Sequence, residues 1–384
     1  MPTKLLFLVY MSFIAFVGQA QNDIKHVEPP YWWHDMINSE LEILIHGDNV
    51  SGLTPKMSDK SIVVTDVTPG DSDNYLFVLV DLSNVQASTD FTITLVGDGR
   101  DIKIPYSLKS KRGGSKRSEG ISNADAIYLI TPDRFRNGTE ENDNVEGMKD
   151  PAARTEYGRH GGDLKGISQS LDYINELGFN AIWLNPVLEN DMAQASYHGY
   201  ATTDYYKVDE RFGGNEAYLQ LSEDLGNRDM HLIMDMIANH CGSSHWWMSD
   251  LPFKDWLNFQ LSYQNGNIGQ NELTNHRKTT ILDPYVPKSE RDQMVQGWFV
   301  PTMPDLNQRN PHMSTYIIQN SIWWVEVMNL AGIRQDTYPY PEEDFLTDWS
   351  CALIEEYPNL FIVGEEWNDN PLIVSYWQRR NNQK

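Results

Sequence analysis

The chain has 384 residues and an ordinary globular apolar content of 40%, enough for two domains, or for one small domain and most of a large one. Lys and Arg number 30 against 54 Asp and Glu, a formal charge of −24, which excludes nucleic acid and anionic membrane surfaces as partners. Beyond the first twenty residues no segment is apolar enough to span a membrane, and the 12 Trp and 19 Tyr offer flat, polar-edged faces that suit sugar rings as well as cores.

The N-terminus carries one positive residue, Lys4, then an apolar run over 5–17 and small residues around Gly18-Gln19-Ala20. That layout reads as a secretory leader over 1–20 cleaved after Ala20, not as an anchor, so the protein is expected to be exported, to a periplasm or the medium. No Cys stands at the cleavage point, which excludes lipid attachment there. Export permits disulfides. Cys241 follows a predicted strand and Cys351 falls in a predicted outer helix, so no bridge between them is expected.

Over 21–108, short apolar runs at 40–46, 61–66, 75–82, 90–95 and 102–106 are separated by Gly, Asn, Asp and Pro clusters. This is the spacing of a small immunoglobulin-like β-sandwich. Leu41, Ile43 and Ile45 alternate with Glu42, Leu44 and His46, the pattern of a half-buried strand. Trp32 and Trp33 either offer a face to polysaccharide or pack against the next domain, and paired aromatics favour packing. Residues 109–122 are basic and Gly/Ser-rich without apolar periodicity and read as a linker.

From 123 onward strand and helix alternate: strands at 126–131, 181–184 and 231–236, helices at 167–177 and 216–225. The stretch 241–311 is rich in Asn, Gln, Trp and Pro without clear periodicity, and a loop of that length is a functional excursion or small subdomain. A helix at 315–330, a strand ending at Asp336, a helix at about 345–356 and a strand ending at Glu365 follow. The alternation predicts a (β/α)8 TIM barrel over 123–384, with the excursion after its third strand. Too few residues follow Glu365 for the remaining strand and helix pairs of a domain of about 250 residues, so the barrel is expected to be truncated after about its fifth strand.

Both of the last two strands end in a carboxylate. In a parallel barrel, chemistry sits at the C-terminal strand ends, and two carboxylates on neighbouring ends are the minimum equipment for cleaving a glycosidic bond. The alternative is two acids that merely cap the helices after them.

Four motifs in order carry a resemblance. Asp235-Met236-Ile237-Ala238-Asn239-His240, Gly332-Ile333-Arg334-Gln335-Asp336 and Gly364-Glu365-Glu366-Trp367 are similar to the third-, fourth- and fifth-strand motifs of the α-amylase family of glycoside hydrolases. Met303-Pro304-Asp305-Leu306-Asn307 resembles the excursion signature of its neopullulanase and cyclomaltodextrinase branch, which has an N-terminal β-sandwich. The resemblance implies retaining hydrolysis of α-1,4-glucosidic bonds in starch, maltodextrin, pullulan or cyclodextrin. Asp336 would be the nucleophile and Glu365 the general acid and base. It further implies that Tyr200, His198, Asp235, His240 and Arg334 hold the sugar at the cleaved bond. Arg334 lies two residues before Asp336, on the same side of the strand, where a fixed cation favours the ionised carboxylate. The alternative role for Asp235, which lies within its strand, is to orient Arg334.

Around the first barrel strand, Pro132-Asp133-Arg134-Phe135-Arg136-Asn137-Gly138, Asn142-Asp143-Asn144 and Gly161-Gly162-Asp163 resemble the calcium loop of that branch. Asn137, Asn142, Asp143, the Gly161 carbonyl and Asp163 would be the ligands, and an all-oxygen set suits Ca²⁺ and not zinc. Thr139 stands where relatives often have Asp, and an Asn/Asp-rich turn without metal is the competing reading. Pro339 and Tyr340 stand where many α-amylases have Lys-His. The third carboxylate of the family, in an Asn-His-Asp motif, has no counterpart. The partner expected is an α-glucan oligosaccharide or polysaccharide, with the oligomeric state left open. A non-catalytic glucan-binding remnant and a glucan transglycosylase are the alternatives.

Overall fold

The computed structural model describes residues 24–112 and 120–380. The expected leader over 1–20 and the middle of the expected linker lie outside the described residues. The first domain is a sandwich of two four-stranded sheets. One joins β1 (Ile24–Glu28), β3 (Glu40–Gly47), β6 (Tyr75–Asp81) and β5 (Val63–Pro69), all antiparallel. The other joins β2 (Trp32–Trp33), β8 (Arg100–Lys109), β7 (Thr89–Gly97) and β4 (Thr54–Met57). Leu41, Ile43, Leu44 and Ile45 are all buried, so β3 is covered on both faces where an alternating pattern predicts one. The extra cover is the second domain: Gln319 exchanges hydrogen bonds with the Glu42 backbone at 2.8 Å in each direction, and His312 Nδ1 lies 2.7 Å from Glu42 Oε2. Trp32 and Trp33 are packed away at 3% and 4% exposure, which rules out a free sugar-binding face there.

The basic stretch expected as linker begins inside ordered structure. Lys109 ends β8 with its ammonium 3.3 Å over the Tyr31 ring, and Lys111 pairs with Glu356 of the second domain.

The second domain contains a sheet of five parallel strands: β9 (Ile127–Ile130), β10 (Ala181–Leu184), β13 (His231–Met236), β14 (Gly332–Gln335) and β15 (Phe361–Gly364), adjacent in that order. The antiparallel pair β11 (Leu188–Glu189) and β12 (Asp204–Val208) interrupts the alternation after β10. The helix expected over 167–177 is two pieces, Leu164–Ser168 and Leu171–Glu176. The helix Pro311–Met328 has most of its residues buried, because it is wedged between the sandwich and the sheet and so needs no polar face. Asn310 caps it by accepting from the His312 and Met313 amides, and Asn329 closes it with φ 50°.

The excursion is a built subdomain. Trp247, Trp256 and Trp298 are fully buried in it, and Trp298 Nε1 donates to the Asn258 carbonyl at 2.8 Å. Its signature motif is a pin: buried Asp305 accepts from Asn239 Nδ2 and Asn258 Nδ2, each at 2.7 Å, and the Leu306 amide donates to the Asn239 carbonyl. Cys241 and Cys351 are both free. Among the described residues no helix is long and apolar enough to cross a membrane.

Candidate active site

At the C-terminal ends of β13, β14 and β15, one guanidinium gathers three carboxylates. Arg334 Nη1 lies 2.7 Å from Asp235 Oδ1 and 2.6 Å from Asp336 Oδ1, and Nη2 lies 2.8 Å from Glu365 Oε1. The register explains the first contact, since Asp235 and Arg334 are directly paired across adjacent strands. Parity explains the second, since Arg334 and Asp336 point to the same side. The Asp336 amide continues the ladder by donating to the Met236 carbonyl at 2.8 Å. Glu365 Oε2 accepts from the Thr337 amide at 2.9 Å, and Thr337 holds a left-handed turn, φ 46°, that aims this N–H. Gly364 precedes Glu365 because a Cβ there would lie 2.5 Å from the Tyr338 ring.

Asp235 is fully enclosed: its second oxygen accepts from Trp183 Nε1 and from the Tyr200 hydroxyl, both at 3.1 Å. It positions Arg334 and Tyr200 and has no face left for a ligand. The Tyr200 hydroxyl accepts from Asn185 Nδ2 at 2.6 Å, and the Tyr200 amide donates to His198 Nδ1 at 2.9 Å. His240 is buried behind Tyr200, with Nε2 3.0 Å from the Tyr200 carbonyl and Nδ1 3.1 Å from Asn239 Oδ1. Burial lowers its pKa to about 4 against the Tyr200 carbonyl, which favours the charged ring. Trp183 and Asn185 escaped the sequence reading. Their only signal is their place at the end of the second barrel strand.

The charges do not balance as the sequence reading expects. Burial raises Asp336, with Asp235 and Glu365 adding to it against the pull of Arg334, to about 8. Burial likewise raises Asp235, against Arg334, to about 6. Arg334 pulls Asp336 toward the ionised form, while burial and the two neighbouring carboxylates pull the other way, because one positive charge is shared among three acids in a dry setting.

The expected calcium ligands are only partly brought together. Asn137 Nδ2 donates to Asp143 Oδ1 at 2.7 Å, and Gly161, at φ 88°, stands so close that a Cβ would lie 2.4 Å from that oxygen. Asn142 Oδ1 is buried without a hydrogen-bond partner. Asp163 departs from the expectation. Its carboxylate accepts from the Gly138, Thr139 and Gly166 amides at 3.1, 3.0 and 2.6 Å, so it caps a helix and folds the loop instead of facing a cation. Asp133 organises the other side by accepting from the His160 and Gly161 amides. Two cavities of about 650 Å³ lie away from these sites, both at the sandwich.

Against known proteins, residues 129–384 match the alpha amylase catalytic domain and residues 26–112 match the cyclomaltodextrinase N-terminal domain. The chain belongs to the alpha-amylase family. It is 30% identical over 252 residues to the intracellular maltogenic amylase of Bacillus subtilis, covering 63% of this chain and 37% of that protein. A cyclomaltodextrinase of Thermoanaerobacter pseudethanolicus is 28% identical over 262 residues, covering 66% of this chain and 40% of that protein. The chain thus spans about two fifths of the length of these curated relatives. Among solved structures, the alpha-amylase of Geobacillus thermoleovorans complexed with acarbose aligns with a TM-score of 0.53 and 33% identity, covering 67% of this chain and 50% of that one.

Proposed function

We propose that this chain supplies the donor-side chemistry of an exported retaining α-glucan hydrolase, with Asp336 as nucleophile and Glu365 as general acid and base. The observation that carries the reading is the attachment of both carboxylates to the single Arg334 guanidinium at adjacent parallel strand ends. In the first step an Asp336 oxygen bonds to the anomeric carbon. The bond to the leaving sugar breaks, and the Glu365 proton passes to the departing oxygen. In the second, water gives a proton to Glu365 and its oxygen to the anomeric carbon, releasing Asp336. The attack needs the Asp336 carboxylate, which the Arg334 guanidinium 2.6 Å away favours against the burial that raises its pKa.

The test is release of reducing sugar from starch, pullulan and β-cyclodextrin by the protein that contains this chain. Asp336→Asn is expected to lower the rate by at least about 10³-fold, and Glu365→Gln by about 10²–10⁴-fold. An Asp336→Asn protein as active as the parent sinks the assignment.

For calcium, the orphaned Asn142 Oδ1, the Asp143 carboxylate and the Gly161 carbonyl are a hard-oxygen set that fits the ion, and a half-turn of the Asn137 amide adds a fourth. The ion would tie the loop after β9 together. Adding Ca²⁺ to metal-free protein is expected to raise Tm by about 2–4 °C, and Asn142→Ala to abolish the rise. An equal rise in the variant refutes those ligands.

A further inference from the structure

A second charged cluster sits where the sandwich meets the barrel domain, on strands the glucan reading does not use. His26 and Glu28 lie two apart on β1 and share a face, and Asp204 opens β12 opposite them. One ligating atom from each comes together, all within 4.8 Å of one another. His26 Nδ1 and Glu28 Oε1 are 3.4 Å apart. Two donors on a tetrahedral zinc ion at about 2.0–2.1 Å stand about 3.3–3.4 Å apart, so this pair already has the required spacing.

Among the described residues, the cluster has no charge partner beyond His26 itself: no Lys or Arg nitrogen comes within 4.0 Å of Glu28 or Asp204. Glu28 is nevertheless 4% exposed, and buried carboxylates are paired with a cation or bound to a metal. Glu28 Oε2 accepts from the Tyr316 hydroxyl at 2.6 Å and one Asp204 oxygen accepts from the Tyr206 amide at 2.9 Å, leaving Glu28 Oε1 to face His26. The Tyr206 side chain lies on the same face of β12 as Asp204, and its buried hydroxyl lies beside the Asn320 side chain. The His26 ring is stacked on Trp246 at 3.9 Å with an interplanar angle of 6°, which limits its rotation. Its side chain is 27% exposed, which gives an ion a path in.

We propose that His26, Glu28 and Asp204 form a divalent transition-metal site of the zinc class, with the Tyr206 hydroxyl beside it, that joins the first sandwich strand to the barrel domain. One imidazole and two carboxylates are a borderline donor set that selects zinc over calcium. One divalent ion also balances the two carboxylates. The site is independent of the glucan chemistry and of the loop holding Asn142.

The experiment is a Zn²⁺ titration of the chelator-stripped protein, read by calorimetry and by Tm. One equivalent with a Tm rise of several degrees is expected in the parent and in Asn142→Ala, and neither in His26→Gln, Glu28→Gln or Asp204→Asn. Should those variants fail to fold, Co²⁺ added to the parent provides the readout. A ligand-field absorption with one equivalent, displaced by Zn²⁺, supports the site. No Zn²⁺ equivalent in the parent, no Co²⁺ absorption, or undiminished binding in the folded variants overturns it.

Discussion

Two acidic clusters in this molecule differ in whether they contain a fixed cation. At the strand ends, Asp235, Asp336 and Glu365 share Arg334. At the domain junction, Glu28 and Asp204 face each other with only a histidine between them. The first is built within one sheet, by register and parity, and its cation is covalently part of the strand that carries Asp336. The second is built across two domains and has no such built-in charge. A resident cation suits a site whose other occupant is an uncharged sugar. An unfilled charge deficit suits a site whose occupant is itself a cation. The half-buried ion pair Lys278–Glu366, 3.2 Å apart without hydrogen-bond geometry, is the balanced case of one cation to one acid.

The sharpest way to break the comparison is to remove the cation from the first cluster. Arg334→Met leaves three carboxylates facing one another, and breaking a buried pair costs about 3–5 kcal/mol. Denaturant unfolding is expected to show that loss, together with disappearance of activity. Adding Asp235→Asn to Arg334→Met should recover part of the stability and none of the activity. If the single variant is as stable as the parent, Arg334 is not what holds these acids together.

A smaller effect comes from removing one acid instead. Asp336 is raised to about 8 in the folded protein, far above the roughly 3.9 of an unfolded chain. Between those values the folded state holds more protons than the unfolded state, so stability falls as pH rises through that window. Asp336→Asn removes this dependence. It is expected to raise Tm by about 2–4 °C at pH 8 and by progressively less toward pH 5, an exchange of activity for stability. A Tm difference that grows as pH falls would reverse the sign and refute the account.

The parts of this molecule that were legible in the sequence are those fixed by local pattern. β10 and β13 coincide with the predicted strands because a strand covered on both faces is a continuous apolar run. The Arg334 and Asp336 contact was legible from parity alone. The Asp235 and Arg334 contact was not, because it depends on which residues of β13 and β14 are paired. The hairpin β11 and β12 went unseen because two residues, Leu188 and Glu189, carry no periodicity. Trp32 and Trp33 left a choice that tertiary packing settles by burying both. The His26, Glu28 and Asp204 cluster had no sequence signal, since its members are far apart along the chain and meet only when the sandwich docks.

The balanced pair gives the finest test. Lys278 reaches from the excursion to Glu366 and also donates to the Trp367 carbonyl at 2.9 Å, so one ammonium ties the excursion to the segment following Glu365. Glu366 keeps a second partner, Trp377 Nε1 at 3.2 Å, so it is not stranded when the lysine is lost. Lys278→Met should therefore cost about 1 kcal/mol, much less than Arg334→Met, while the loosened segment lowers kcat/KM by about tenfold. Lys278→Arg keeps the charge but not the shape, and should restore stability more fully than kcat/KM. A stability loss in Lys278→Met as large as in Arg334→Met would show that the ratio of cations to acids does not set the energetics, because a pair that retains another donor should be the least sensitive of the three.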